Sequence, residues 1–170
     1  MFFGTASFDG DLSSFDVSFV KTMRSMFSGS QYSGRGLENW DTSAVENFAF
    51  MFYGASSLDA DLSLWSTSKA TTLQAMFCEL PPRLCLLCMH LLIDSAHYYL
   101  LDSIIAIRRL DDASKFRGDG LENWDVSSVI DLSGTFYDAT AFSGDLSSWN
   151  TEKVTTMSGM FSGASQVRRD

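Results

Sequence analysis

Cys85, Cys88, His90 and His97 are the residue types that bind zinc, and they crowd into one short stretch. Thiolates and imidazoles close tetrahedral zinc sites, and Cys-x-x-Cys is a frequent opening. Here Cys85-x-x-Cys88 is followed by x-His90 and then His97, a spacing that matches no finger template, with Leu and Met around the four. They are weak metal candidates, and we expect no metal and no cofactor. These are also the chain's two histidines. The rest of the chain therefore offers neither a Ser-His-Asp triad nor a Cys-His pair. Paired carboxylates imply no glycosidase without a cleft. Leu84 to Ile107 is apolar, yet His90, Asp94, His97 and Asp102 interrupt it, so we expect no membrane span.

Other residues with recognition chemistry lie outside that stretch. Asp9, Asp11, Asp59, Asp61, Asp119 and Asp145 recur in similar contexts and could stack as oxygen ligands for calcium. The EF-hand pattern is absent, so solvated turn residues are the favoured reading. Arg117-Gly118-Asp119 spells an integrin-type tripeptide, but "SGD" stands at the equivalent place later in the chain. A three-residue match within a repeat is weak. Met23, Met26, Met51, Met76, Met157 and Met160 read as core filling.

Composition narrows the class of partner. The chain has 170 residues, enough for one sizeable core, and 45% hydrophobic content argues against disorder. Net charge is −9 and no basic run exceeds Arg-Arg, which disfavours nucleic acid and anionic membrane surfaces. All three cysteines lie between Cys78 and Cys88, so no disulfide framework supports the remainder. The start "MFFGTASFDGD" is not a signal peptide.

What must position any site is a repeat. Met-Phe occurs at Met26-Phe27, Met51-Phe52, Met76-Phe77 and Met160-Phe161, with the first three 25 apart. An aromatic stands at Phe15, Trp40, Trp65, Trp124 and Trp149, with gaps of 25, 25, 59 and 25. Leu12, Leu37, Leu62, Leu121 and Leu146 keep the same gaps, as do Val20, Val45, Ala70, Val129 and Val154. A fixed period in the mid-twenties with several apolar columns means stacked units that shelter their side chains against each other. The expected core is Leu12, Phe15, Phe27, Leu37, Trp40, Val45, Phe52, Leu62, Trp65, Phe77, Leu121, Trp124, Val129, Phe136, Leu146, Trp149, Val154 and Phe161. The "VTTMSGMF" segment reads as a short strand, and "SGDLSSW" as turns. Asp16, Asp41, Asp125 and Asn150 are expected to bond turn N–H groups. The fold class is thus a β-rich solenoid of about five turns, leucine-rich-repeat-like, with one short parallel strand per turn.

The units "FDGDLSSFDVSFVKTMRSMFSG", "GLENWDTSAVENFAFMFYGASSL" and "FSGDLSSWNTEKVTTMSGMFSGAS" closely resemble the BspA-like leucine-rich repeat. That repeat is a bacterial surface unit of about 25 residues, also found in mycoplasma lipoproteins and some microbial eukaryotes. The resemblance implies a cell-surface or secreted protein used in adhesion or protein interaction, with no catalytic residues to carry over. It covers the chain outside residues 78–111. Ser66 departs from it by replacing the Asp that follows Trp.

The gap of 59 is one period of 25 plus 34, so the repeat is in phase on both sides of the interruption. The organisation is therefore residues 1–77 and 112–170 as two parts of one solenoid, with residues 78–111 as an insert, helical or irregular if translated. The insert also has a codon-level reading. TGT-GAG-TTR would encode Cys78-Glu79-Leu80 and contains GTGAGT, a splice-donor sequence. CTA-GAT would encode Leu110-Asp111 and contains an acceptor TAG. Excision joins T to AT, leaving one tyrosine codon and the product "MFYDASKFRGDGLENW", which parallels "TFYDATAFSGDLSSW". Residues 78–111 then read as a translated intron.

The functional expectation is a module that is not an enzyme and binds an unknown protein or glycan. Its strand face presents Lys21, Arg24, Glu46 and Gln74, and its setting is the cell surface. The alternative is an intracellular scaffold. Both ends fall in mid-repeat, which we read as a fragment of a longer protein.

Overall fold

A computed structural model describes residues 1–79 and 115–167. Within them the chain winds as rungs: residues 10–34, 35–59, 60–79 with 115–118, 119–143, and 144–167, preceded by a half-rung in residues 2–8. Parallel bridges link Thr22 to Asn47, Asn47 to Thr72, Thr72 to Asp131 and Asp131 to Thr156. One bridge per rung is all the sheet there is among the described residues. The regular helix is equally sparse: the 3-10 turns Leu37–Asn39 and Leu121–Asn123.

Backbone hydrogen bonding explains why no strand longer than a single residue forms, in contrast to the expected short strand per turn. Along the wall that holds the bridges, alternate residues donate to the next rung. Met23, Ser25, Phe27 and Gly29 donate to Asn47, Ala49, Met51 and Tyr53 at 2.7–3.0 Å. The residues between them turn back on their own rung: Met26 donates to Met23, Ser28 to Ser25 and Ser30 to Phe27. Each donor thus has a partner, as a buried backbone requires, yet no extended ladder develops. The turn-back demands left-handed backbone, seen at Ser25 (φ 56), Phe50 (φ 58), Ala75 (φ 49), Gly134 (φ 61) and Gly159 (φ 63). These five occupy one column, so the conformation belongs to the repeat.

Behind this wall the aromatic side chains stack. Phe2, Phe27, Phe52, Phe77, Phe136 and Phe161 form one file, with ring centroids 5.3–5.8 Å apart and planes within 12°. Trp40, Trp65 and Trp124 form a second file at 6.4 Å. Stacked pairs of this kind add about 0.5–1.5 kcal/mol each to what burial supplies. Leu37, Val45, Leu62, Leu121 and Val129 are fully buried beside them, with Leu12 nearly so.

Two residues of the expected core are corrected. Phe15 is 44% exposed and Phe161 39% exposed. Both lie in the outer described rungs. Residues 2–8 cover the first rung only over Phe27 and Tyr32, so Phe15 is left outside the file that Trp40 begins. Phe161 has Phe136 on one side only. Leu146, Trp149 and Val154 in the same last rung are half-buried, and Met157 is exposed.

Candidate binding face

The outward side chains of the wall are set by the bridge column. Thr22, Asn47, Thr72 and Asp131 fold back on their own backbone: Asn47 Oδ1 accepts from the N–H of Ala49 at 2.9 Å and Asp131 Oδ1 from that of Ser133 at 2.8 Å. Thr22 and Thr72 use their hydroxyl oxygens likewise, accepting from Arg24 and Gln74. These contacts spend the polar atoms of that column on holding the wall and leave the residues on either side to face solvent.

The flanking column runs Lys21, Glu46, Thr71, Ile130, Thr155, all exposed. Of the four expected contact residues, Lys21 and Glu46 are each other's partner, with Nζ to Oε1 at 3.1 Å across adjacent rungs. At this exposure the pair is worth under about 1 kcal/mol, so both charges remain accessible to a ligand. Arg24 lies over the Phe50 ring at 4.7 Å, a cation–π contact that orients the guanidinium. Gln74 is half-buried and contributes less than expected. Thr71 and Thr155 hydroxyls donate to the Glu46 and Ile130 carbonyls, which runs the column rung to rung. Sequence reasoning missed Thr71, Ile130 and Thr155. The period of 25 from Lys21 and Glu46 was the signal that would have found them.

Away from the bridge column, carboxylates do turn work. Asp16, Asp41 and Asp125 accept from the N–H of Ser18, Ser43 and Ser127 at 3.0 Å, and Asn150 from Glu152 at 3.0 Å, as expected. Asp11, Asp61 and Asp145 accept from Ser13, Ser63 and Ser147. Asp9 reaches across to Ser33 of the next rung. Hydrogen bonds from these serines hold Asp9, Asp11, Asp16, Asp41, Asp61, Asp125 and Asp145 below the usual carboxylate range. Among the described residues no three His, Cys, Asp or Glu side chains gather as a metal site. Cys85, Cys88, His90 and His97 lie outside the described residues, as does the apolar stretch Leu84 to Ile107. No described helix is long and apolar enough to cross a membrane.

Arg117-Gly118-Asp119 is part of the rung itself. Gly118 is buried at φ 86, and a Cβ there would come within 2.2 Å of the Phe142 ring. The Arg117 carbonyl accepts from Ser143 of the next rung at 2.9 Å. The glycine is explained by close packing, and the tripeptide is held flat against its neighbour rather than projecting as a loop tip.

A family model described as "Mycoplasma protein of unknown function, DUF285" matches residues 1–82 and 103–170. No curated protein and no solved structure matches the chain.

Proposed function

The chain belongs to the family described as "Mycoplasma protein of unknown function, DUF285", and on that premise we propose that it is a non-catalytic repeat module for protein or glycan binding at a cell surface. Its finer kinship, in this reading, is with BspA-like leucine-rich repeat surface proteins, and its class is a leucine-rich-repeat-like solenoid. The observation that carries the reading is the contrast between columns. Leu37, Leu62 and Leu121 are the same residue in successive rungs and fully buried. Lys21, Glu46, Thr71, Ile130 and Thr155 occupy one exposed column and differ in charge, size and polarity. Repeat proteins hold the stacking positions constant and diversify the presented ones, which makes this column and the neighbouring Arg24 the candidate contact surface.

Location and binding are tested together on intact cells. A membrane-impermeant amine reagent should label Lys21, Lys69 and Lys153, all exposed, before lysis. Labelling only after lysis would favour the intracellular scaffold instead. The purified chain should then bind members of a glycan array or a panel of immobilised host-surface proteins. That binding should weaken at least tenfold in an Arg24→Ala, Glu46→Ala double variant whose urea midpoint is unchanged. Binding that ignores the double variant refutes the assignment of this face.

A further inference from the structure

The break in the third rung leaves its mark on the residues around it. Leu73, Ala75, Phe77 and Glu79 donate to the carbonyls of Asp131, Ser133, Thr135 and Tyr137 at 2.8–3.1 Å. One rung earlier, Phe48, Phe50, Phe52 and Gly54 donate to Thr72, Gln74, Met76 and Cys78 at 2.7–3.2 Å. The rings agree: Phe52 to Phe77 and Phe77 to Phe136 are each 5.8 Å. Rungs three and four therefore touch as directly as rungs two and three, although 59 positions separate Thr72 from Asp131. The family match independently omits residues 83–102.

Cys78 stands at the break. It follows Phe77 as Tyr53 follows Phe52 and Tyr137 follows Phe136, with Ser28 and Ser162 at the same place in the outer rungs. Tyr53, Ala75, Cys78 and Tyr137 pack as one small apolar cluster with Phe50 against it. The cysteine thus stands between two tyrosines, one layer from each. The next position in the rung is left-handed, held by Gly54 (φ 65) and by Asp138 (φ 56). Asp is one of the few residues with a side chain that visits that region readily.

We propose that the working protein lacks residues 78–111 and carries a single tyrosine in their place, the segment being an intron translated in this sequence. Two unrelated constraints select the same residues. With TGT at Cys78 and GAT at Asp111, joining the first base of one to the last two of the other would yield tyrosine, the residue of the two adjacent rungs at Tyr53 and Tyr137. The join then brings Asp112 to the left-handed position, the residue type found at Asp138. An insert taken into a solenoid for a function of its own has no reason to satisfy either condition. The result is a continuous stack with tyrosines on three successive rungs, its third rung 26 residues long against 25 in its neighbours.

The protein isolated from its native source and digested with trypsin decides the matter. The expected peptide is "ATTLQAMFYDASK", running from Ala70 to Phe77, through the tyrosine, and from Asp112 to Lys115. A principal peptide "ATTLQAMFCELPPR", ending at Arg83, overturns the proposal. Mature transcript sequenced across the same region must show the join. Retention of codons 78–111 in it, genomic DNA without the donor and acceptor bases, or a gene in a genome without spliceosomal introns each overturns it as well.

Discussion

The indole N–H of Trp124 donates to the carbonyl of Leu62 at 3.0 Å, across 62 positions of sequence. Trp40 makes the same bond to Leu12 at 3.0 Å, Trp65 to Leu37 at 2.8 Å and Trp149 to Leu121 at 2.9 Å, each across 28 positions. Every tryptophan thus ties its own rung to the preceding one through a polar bond inside an apolar stack. Trp124→Phe keeps a ring in the file and removes one of the two bonds to the Leu62 carbonyl, which still accepts from the Trp65 backbone N–H, so it should cost about 0.5–1.5 kcal/mol. Trp124→Ala, like Trp40→Ala or Trp65→Ala, also opens a cavity and should cost about 3–5 kcal/mol. Urea titration measures both; a loss below about 1 kcal/mol in the alanine variants contradicts burial of the indole.

A shortened chain with one tyrosine in place of residues 78–111 should keep the far-ultraviolet circular dichroism of the stack and unfold at higher urea. Closing a loop of that size costs about 3 kcal/mol beyond the constant term, and the shortened chain is spared that cost. A lower midpoint would show that the segment supports the fold.

Ser30 carries a buried hydroxyl with no hydrogen-bond partner among the described residues. The same place in later rungs holds Ala55, Ala139 and Ala164. Ser30→Ala should therefore stabilise the protein by about 1 kcal/mol, because it removes an unsatisfied polar atom at constant shape. A lower melting temperature would mean that the hydroxyl has found a partner.

The left-handed column offers a paired test. Ser25 (φ 56) holds a conformation that its counterparts Gly134 and Gly159 adopt without steric cost. Ser25→Gly should gain roughly 1 kcal/mol and Gly134→Ala should lose about as much. A Cβ on Gly134 would meet Ala75 at 3.8 Å, ordinary contact, so backbone strain alone is being read. Equal melting temperatures for the two variants would contradict that conformation in solution.

Acid should weaken the stack through its turns. Hydrogen bonds from Ser18, Ser43 and Ser127 lower the carboxyl pKa of Asp16, Asp41 and Asp125 in the folded chain. A group with a depressed folded pKa binds its proton more readily when unfolded. Its contribution is present above the ordinary value of about 4 and is lost as pH falls through the folded one. Urea midpoints should hold between pH 7 and 5 and drop below about pH 4. Asn150 makes the same turn contact without a charge. Asp16→Asn with Asp41→Asn should accordingly flatten the acid limb while leaving the neutral midpoint nearly unchanged. An acid limb as steep as before would place the sensitivity elsewhere.

The period of 25 made the Trp and Phe files, the buried leucines and the Asp-capped turns legible in advance, because each depends on residue type at a fixed spacing. Phe15 and Phe161 occupy the right columns and are exposed all the same. Column membership does not say whether a neighbour lies above. The strand expected from "VTTMSGMF" failed for a different reason. Its β-branched residues were visible, but the left-handed turn-back recurs in every rung, at Ser25, Phe50 and Ala75 as well as at Gly134 and Gly159, so it follows from the bonding of the repeat rather than from the residue type. The outward column was half legible. Lys21 and Glu46 attract attention as charges, whereas Thr71 and Thr155 matter only once their hydroxyls are seen to reach the adjoining carbonyls.

Four alternate wall donors in each rung point one way: within Met23 to Gly29, Phe48 to Gly54, Leu73 to Glu79 and Leu132 to Asp138 they aim toward the later rung, while Glu46, Thr71, Ile130 and Thr155 each donate one bond back to the earlier rung. Peptide dipoles aligned in this manner give the wall an electrical polarity, with the positive pole at high residue numbers, opposite in sense to that of an α-helix. Met157, Gly159, Phe161 and Gly163 continue the pattern and donate to no carbonyl among the described residues. Two such surfaces meeting face to face would set hydrogen against hydrogen. Any further layer must therefore bring carbonyl oxygens to these four donors and a single N–H to the Thr155 carbonyl, so extension of the stack has a compulsory direction.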